Sequence, residues 1–593
     1  MAESKAVKLP ASKKSEPMAP VLGVFAACDP RIDKQSRERA ANIIGLTADL
    51  LASRLKMPDG APVQVVWSPV LVDGERQADI VARQFKEACV NILVAPLDTW
   101  AFPQLSLISL VQQFPQDTPL NLTCGNSGPK PGVVFTHACS GALSQCGRLV
   151  HINVGVWPDS GPFPRMTAET ADALVDWCYA AITTQGLKGR RVVVFGHDSM
   201  GMETALAHVI PTRRVYGLEI TRLDMKLVSD MLARKAYDPK ELAELRAWID
   251  KHVGKRLHVP TPEDSERFNR CLAMYLIVRD LLKDLNAVGG GFMGQLEWGT
   301  DRRGIPLPVP DMIESLLNTT FDHNGPKTPV PFATEADAQG LLTMLFFTWL
   351  TAGNPPLFMD FRKVWEPWEA QALAQKLGVA LTGETLWENK GFVDGDNSGS
   401  ASLDWAGKPG WSVPRILKRV LMPVAEEYYF PGMGNSVTFV SPGGIEGIAG
   451  RMAYSEPTGM FSLVWDEAVT VDLPEPMAQA VCHTSNWTWP HTFVTPQYAN
   501  MIEYKQYAPA NHLHMTWGLK PRPLQFWMDL TNTLSATPWS ARPAFVEGVD
   551  RPLPLLYVIS GGENAMRLPT KRKISPCLRA LAARVSMMPD DAG

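Results

Sequence analysis

From residue 21 onward, short apolar runs alternate with amphipathic stretches, at a spacing that points to a parallel sheet wrapped in helices. Residues 21–27, 63–67 and 90–95 read as strands, and residues 37–55, 78–89 and 105–114 carry helical periodicity. The Pro- and Gly-rich stretch 157–164 then predicts a linker. A second unit repeats the pattern with a helix over 168–184 and a buried strand at 191–195. That strand runs into Gly196-His197-Asp198-Ser199-Met200-Gly201, with a helix expected from Met202. Asp238 and Pro239 supply an N-cap and an N1 proline for a helix ending at Gly254. Residues 263–285 predict a long helix stopping before Gly289-Gly290-Gly291.

Beyond Asp360 helical periodicity thins, while Trp, Pro, Gly and Thr rise across residues 405–539. Strand-like runs recur at 436–440, 461–465, 468–473 and 555–559, predicting a β-rich third domain, a barrel or a sandwich. A chain of 593 residues needs several cores. The expected division is a tail at 1–20, α/β domains at 21–165 and 166–351, and the β-rich domain at 352–593.

Composition excludes several classes. With 20% charged and 45% apolar residues the chain folds rather than staying disordered. A net charge of −4 gives no support for nucleic acid as a partner. Local basic character is confined to the start (Lys5, Lys8, Lys13, Lys14), which lacks the apolar core of a signal peptide and reads as a disordered tail. No run reaches the roughly 18 apolar residues of a membrane helix. The nine cysteines are scattered without CxxC spacing, which speaks against a zinc ribbon or disulfide scaffold and for a reducing, cytoplasmic setting.

The chemistry is expected at two acidic residues. Glu335 closes Pro331-Phe332-Ala333-Thr334, and Asp360 closes Pro356-Leu357-Phe358-Met359. Between them lies the apolar stretch 340–350, ended by Gly353. This reads as strand, helix, strand. A right-handed crossover would bring both carboxylates to the carboxyl edge of one parallel sheet, where such sheets hold ligands. Converging carboxylates take a divalent cation, a shared proton, or both; each could equally cap a following helix. His512 in Ala510-Asn511-His512 adds an imidazole, and two carboxylates with one imidazole suit Mn²⁺ while leaving positions open for substrate oxygens.

Other candidates are less specific. The turn at 196–201 joins a strand to a helix, as phosphate cradles do, but lacks Lys-Ser/Thr and GxGxxG, so a plain tight turn is the better reading. Asn397-Ser398-Gly399-Ser400 is a polar turn able to bond hydroxyl groups. Trp487, Trp489 and Trp517, with Asn486 and His491, offer aromatic faces for a sugar or for a core. Gln295, just past the long helix, is placed to reach a ligand.

Taken together, these residues make the chain similar to the L-fucose isomerase family, metal-dependent aldose–ketose isomerases that also act on D-arabinose. The similarity runs from about Leu22 to the region of Trp517. It is strongest in Ser199-Met200-Gly201 through Ala236-Tyr237-Asp238 and Trp248-Ile249-Asp250-Lys251. It is equally clear in Gly291-Phe292-x-Gly294-Gln295, in Leu317-Asn318-x-x-Phe321-Asp322-x-Asn324-Gly325 and in Ala333-Thr334-Glu335. A third group comprises Asn397-Ser398-Gly399-Ser400-Ala401, Trp489-Pro490 and Ala510-Asn511-His512.

The resemblance implies an α/β protein of two Rossmann-like α/β/α domains followed by a C-terminal β-barrel-type domain. It implies a homohexamer with active sites at subunit contacts, and Mn²⁺ bound by Glu335, Asp360 and His512. Glu335 and Asp360 would double as the proton-transferring acid and base. The expected sugar-binding residues are Gln295, Ser398, Trp489, Asn435 and Trp100. Departures from the family pattern bear on the substrate. Met293 stands where the family usually has Gln, Asn435 aligns near a family aromatic, and the loop Asp98-Thr99-Trp100 is less aromatic than its counterpart. The expected function is interconversion of a free aldose, of L-fucose or D-arabinose type, and its ketose through an enediol. The rival classes are a metal-dependent sugar hydrolase or lyase, which needs a further positioned water or acid, and a non-catalytic carbohydrate-binding protein, which needs no metal ligands.

Overall fold

In the first sheet, β1 (Val21–Val24), β2 (Gln64–Trp67), β3 (Ile92–Leu97), β4 (Leu120–Cys124) and β5 (His151–Val154) run parallel in the order β2-β1-β3-β4-β5. The computed structural model describes residues 19–124, 132–155, 161–198, 200–294, 299–399 and 401–535, so the strand-like run at 555–559 lies outside the described residues. Alternate side chains of the first sheet enter two different cores. Leu22, Val24, Ile92 and Val94 meet Ala48, Leu51 and Trp177, while Val21, Leu93 and Ala95 meet Val81, Phe85 and Leu110. Both faces are covered, which is why β1 and β3 are apolar without interruption. The helix Ala168–Gly186, assigned by its position in the sequence to the second domain, adds Leu174, Val175 and Cys178 to the first sheet's core. The helix expected over 105–114 is a π turn, Gln104–Ile108, running into a single short turn, Ser109–Val111.

The second sheet takes β6 (Arg191–Phe195), β7 (Glu219–Leu223), β8 (Ala287–Phe292) and, after a hairpin of β9 (Phe321–Asp322) and β10 (Gly325–Pro326), β11 (Phe332–Ala333). Its order is β11-β8-β6-β7, again parallel. The three glycines read as following the long helix form the middle of β8. A Cβ on Gly290 would stand 2.8 Å from the Val193 carbonyl oxygen and 2.9 Å from the Phe332 ring. No helix begins at Met202. The Asp198 carboxylate accepts the Ala207 N–H at 2.6 Å, and a 3-10 turn Glu203–Ala205 precedes the helix Val209–Tyr216. That carboxylate is also bonded by Arg222.

The third sheet is mixed and almost wholly antiparallel: β12 (Pro356–Trp365), β13 (Phe392–Asp396), β14 (Glu446–Ser455), β15 (Met460–Thr470), β16 (His491–Pro496), β17 (His512–Trp517) and β18 (Leu534–Ser535). Its order is β14-β17-β12-β13-β16-β15-β18, and β14 pairs with β15 as well as with β17. Only β15 and β18 pair in parallel. The expected crossover is corrected here. β12 joins this sheet rather than lying beside β11, and Asp360 sits inside a strand of 10 residues instead of ending one. The intervening helix, Ala338–Leu350, is buried along its whole length and packs against β8, β12, β14 and β17. A helix apolar on every side needs cover on every side, and one sheet face does not supply it. No helix of the described residues is long and apolar enough to cross a membrane.

One buried group weighs against stability at neutral pH. Asp311 opens the helix Asp311–Asn318 at 0% exposure, and neither carboxyl oxygen makes a well-formed hydrogen bond. Burial pushes its carboxyl up to about 7, with Ser436 and the Val437 N–H only partly opposing. A raised carboxyl pKa means that the folded state holds the proton more tightly. Stability is therefore lost as pH rises from the ordinary value of 3.8 towards 7. Asp311→Asn is expected to flatten thermal melts across this window and to melt higher than wild type above about pH 7; an unchanged pH profile counts against this assignment.

Candidate active site

Cross-strand register builds the site. β17 lays His512 opposite Asp360 of β12, Asp360 faces Asp396 of β13, and Asp396 faces His491 of β16. Directly opposed residues share one face of a sheet, so four adjacent strands present a single rung, His512–Asp360–Asp396–His491. Glu335 arrives from the other sheet, on the turn that ends β11. It adopts φ 59° and ψ 21°, and Ala336 follows at φ 51°. Left-handed backbone costs roughly 1–2 kcal/mol for each such residue and persists only where the surroundings over-determine it. Here Thr334 Oγ1 lies 2.8 Å from Glu314 Oε2 and 3.0 Å from Asn397 Oδ1, pinning the turn.

Glu335, Asp360 and His512 meet. His512 Nε2 stands 3.4 Å from Glu335 Oε2 and 3.2 Å from Asp360 Oδ1. Ser398 joins them, its N–H donating to Asp360 Oδ2 at 3.0 Å and its Oγ–H to Glu335 Oε1 at 3.2 Å. Burial opposes ionisation of Asp360, but His512, Arg362 and the Ser398 N–H hold its carboxyl below the ordinary range. Burial would likewise lower the His512 imidazole, yet Asp337, Asp360 and Glu335 around it carry it well above its usual value.

Behind the imidazole lies a relay that sequence reading missed. Asp337 Oδ2 pairs with His512 Nδ1 at 2.7 Å and with Arg451 Nη1, while Oδ1 accepts from Arg451 Nη2 and from the Gly340 N–H, each at 2.9 Å. Arg451 is 1% exposed and also reaches the Thr204 carbonyl and His514 Nε2. In the sequence Asp337 looks only like an N-cap, which it also is. A Cβ on Gly340 would stand 2.5 Å from Arg451 Nη1, Asp337 Oδ2 and His514 Nε2 alike. Gly340→Ala is expected to destabilise the fold by about 1–3 kcal/mol through overpacking, read as a lower urea midpoint; an unshifted midpoint would mean the relay has room.

The residues also bear on whether a metal fits. Among the described residues no group of three His, Cys, Asp or Glu side chains is spaced as a ready-made metal centre; in the trio, imidazole and carboxylates lie against one another instead. The donor chemistry nonetheless suits a divalent cation. His512 Nε2 is buried and makes no well-formed hydrogen bond, although two carboxylates stand beside it. Bonds of about 2.1 Å at right angles separate their donors by about 3 Å, close to the 3.2 and 3.4 Å found here. Asp337 on Nδ1 leaves Nε2 as the nitrogen that would face a cation, as in carboxylate–histidine pairs at metal sites.

The remaining candidates divide. Ser398 belongs to the site. Trp489 is buried, its ring 5.3 Å from Tyr429 and 5.5 Å from the Arg362 guanidinium. Asn435 is held elsewhere, donating from Nδ2 to the carbonyls of His258 and Met422. Trp100 packs edge-on against Phe102 and Phe135 in the first sheet's core. Gln295 lies outside the described residues. Gly294 touches the site closely, since a Cβ there would stand 3.0 Å from Glu335 Cγ. Its neighbour Met293 lines an open cleft of about 1040 Å³ with Gly196 and Arg222, where β6, β7 and β8 end.

Residues 19–189 match the family model described as L-fucose isomerase, first N-terminal domain, and residues 190–352 match its second N-terminal domain. The second segment contains Glu335; Asp360 and His512 lie beyond it. Among similar curated proteins are the L-fucose isomerases of Streptococcus pneumoniae strains JJA and 70585. Each is 26% identical over 547 residues, covering 84% of this chain and 90% of the relative. The chain belongs to the L-fucose isomerase family and is, with it, an aldose–ketose isomerase, an intramolecular oxidoreductase.

Proposed function

We propose that the protein interconverts a free aldose of the L-fucose or D-arabinose type and its ketose through an enediol, with Mn²⁺ held by Glu335, Asp360 and His512. The supporting observation is the buried His512 Nε2, without a well-formed hydrogen bond and flanked by Glu335 Oε2 and Asp360 Oδ1. When bound, the cation would stabilise negative charge on the sugar's O1 and O2. Glu335 then takes the proton from C2 and returns it to C1, its carboxylate steadied by Ser398 Oγ. Asp360, its Oδ2 held by the Ser398 N–H, accepts and returns the hydroxyl proton. One C–H bond is lost and one regained, so no outside oxidant or reductant is needed.

The third sheet is read here as a β-barrel, supported by β14 pairing along both of its edges. A homohexamer is proposed from the family resemblance, and the exposed Trp67, Phe102, Leu105 and Val134 supply apolar surface for a subunit contact. Met293 in place of an amide alters which hydroxyls are read, so the preferred aldose need not be L-fucose.

The test is a panel of L-fucose, D-arabinose, D-altrose and L-galactose with Mn²⁺, followed by ketose formation. Turnover of at least one sugar is expected, abolished by EDTA and restored by Mn²⁺. No ketose from any aldose, or turnover indifferent to EDTA, would end this reading.

A further inference from the structure

β12 carries an irregularity two positions past Asp360. Phe361 pairs with Gly395 and Lys363 with Asp394, which leaves Arg362 as the extra residue of a bulge. Bulges re-aim side chains beside active sites, and this one sends the guanidinium to Asp396. Nε donates to both Asp396 oxygens at 3.0 Å. The Asp396 side chain is 0% exposed, while that of Arg362 remains 38% exposed. The guanidinium also rests 5.5 Å from the centre of the Trp489 ring. Both anchors fix its plane, and among the described residues neither Nη group makes a hydrogen bond. A planar fork of donors is therefore held rigid and open. The Cα of Arg362 stands at most about 7 Å along the strand from that of Asp360, comparable to the span of an extended five- or six-carbon chain.

Resting on the isomerase reading above, we propose that Arg362 is a specificity-determining residue. Its free Nη groups bond neighbouring hydroxyl oxygens at the far end of an open-chain sugar whose reacting carbons lie at Glu335 and Asp360. A neutral polyol is favoured over a sugar phosphate or sugar acid. The guanidinium is already balanced by Asp396, whose side chain is fully buried against it. A planar fork of donors matches neighbouring hydroxyl groups along a sugar chain.

The test compares wild type with Arg362→Lys, which keeps the charge that Asp396 needs but loses the fork. With pentoses and hexoses, KM is expected to rise about tenfold with kcat changed less than about threefold. With glyceraldehyde, too short to reach Arg362, wild type and variant should agree. Calorimetric titration of arabinitol in the presence of Mn²⁺ should weaken about tenfold, while Mn²⁺ affinity stays unchanged. Equal KM values for the long sugars would overturn the proposal, as would a fall confined to kcat or a matching loss with glyceraldehyde. Preferential turnover of D-arabinose 5-phosphate, lost in the variant, would replace the neutral ligand by an anionic one and overturn it too. If wild type isomerises no aldose, the isomerase reading falls on its own, and the arabinitol titration still decides the role of Arg362.

Discussion

Glu335→Gln leaves a folded protein whose isomerase turnover falls by at least about 10³-fold, since general-base catalysis alone supplies about 10²–10⁴-fold and a charged donor to the proposed cation goes with it. The amide occupies nearly the space of the carboxylate and still accepts the Ser398 Oγ–H, so the left-handed turn at residues 335 and 336 keeps its shape. What disappears is the basic oxygen beside His512 Nε2. Circular dichroism and the melting temperature should match wild type while ketose formation vanishes. Retained turnover would remove Glu335 from the proton transfer.

Asp337→Asn is expected to damage stability and metal binding together. The carboxylate holds Arg451 with both oxygens, at 0% and 1% side-chain exposure. Removing one member of a buried ion pair costs about 3–5 kcal/mol, because the other charge is left without compensation. The same change weakens the bond to His512 Nδ1, and loss of such a support lowers metal affinity by about 10–100-fold. Burial opposes its ionisation, yet Arg451 and His512 hold the Asp337 carboxyl far below its ordinary 3.8. A depressed carboxyl stabilises the fold above that value and less as pH falls below it. The urea-midpoint gap between wild type and variant should therefore narrow in acid. A variant as stable as wild type, with unaltered Mn²⁺ titration, would reduce Asp337 to a helix cap.

Much of the parallel-sheet architecture can be read from the chain because most strands are short and rich in apolar residues and several are followed by a helix. β3 is an exception, with only a π turn and a short helical turn after it. Arg191–Phe195 is found where the alternation puts it, and Asp238 caps its helix by accepting the Lys240 N–H. Glu335, Asp360 and His512 stand out by residue type and setting, but the route by which they meet does not. Local pattern suggested one crossover in one sheet; the actual meeting crosses from the second sheet to the third. The rung is a matter of register between β17, β12, β13 and β16, and register leaves no mark within any single strand. Arg451 reaches Asp337 from 114 residues away, and periodicity carries no information over such a distance. The Arg362 bulge is hidden for the same reason, since an extra residue in β12 is visible only against its partner strand.

The burial of the helix Ala338–Leu350 also limits how the chain can be divided for expression. Its flank against β14 and β17 would stand bare in any shorter version that stopped after the second sheet. Such a fragment would display a greasy cylinder to water and aggregate. A gene fragment encoding the first two sheets alone is therefore a poor choice for expression.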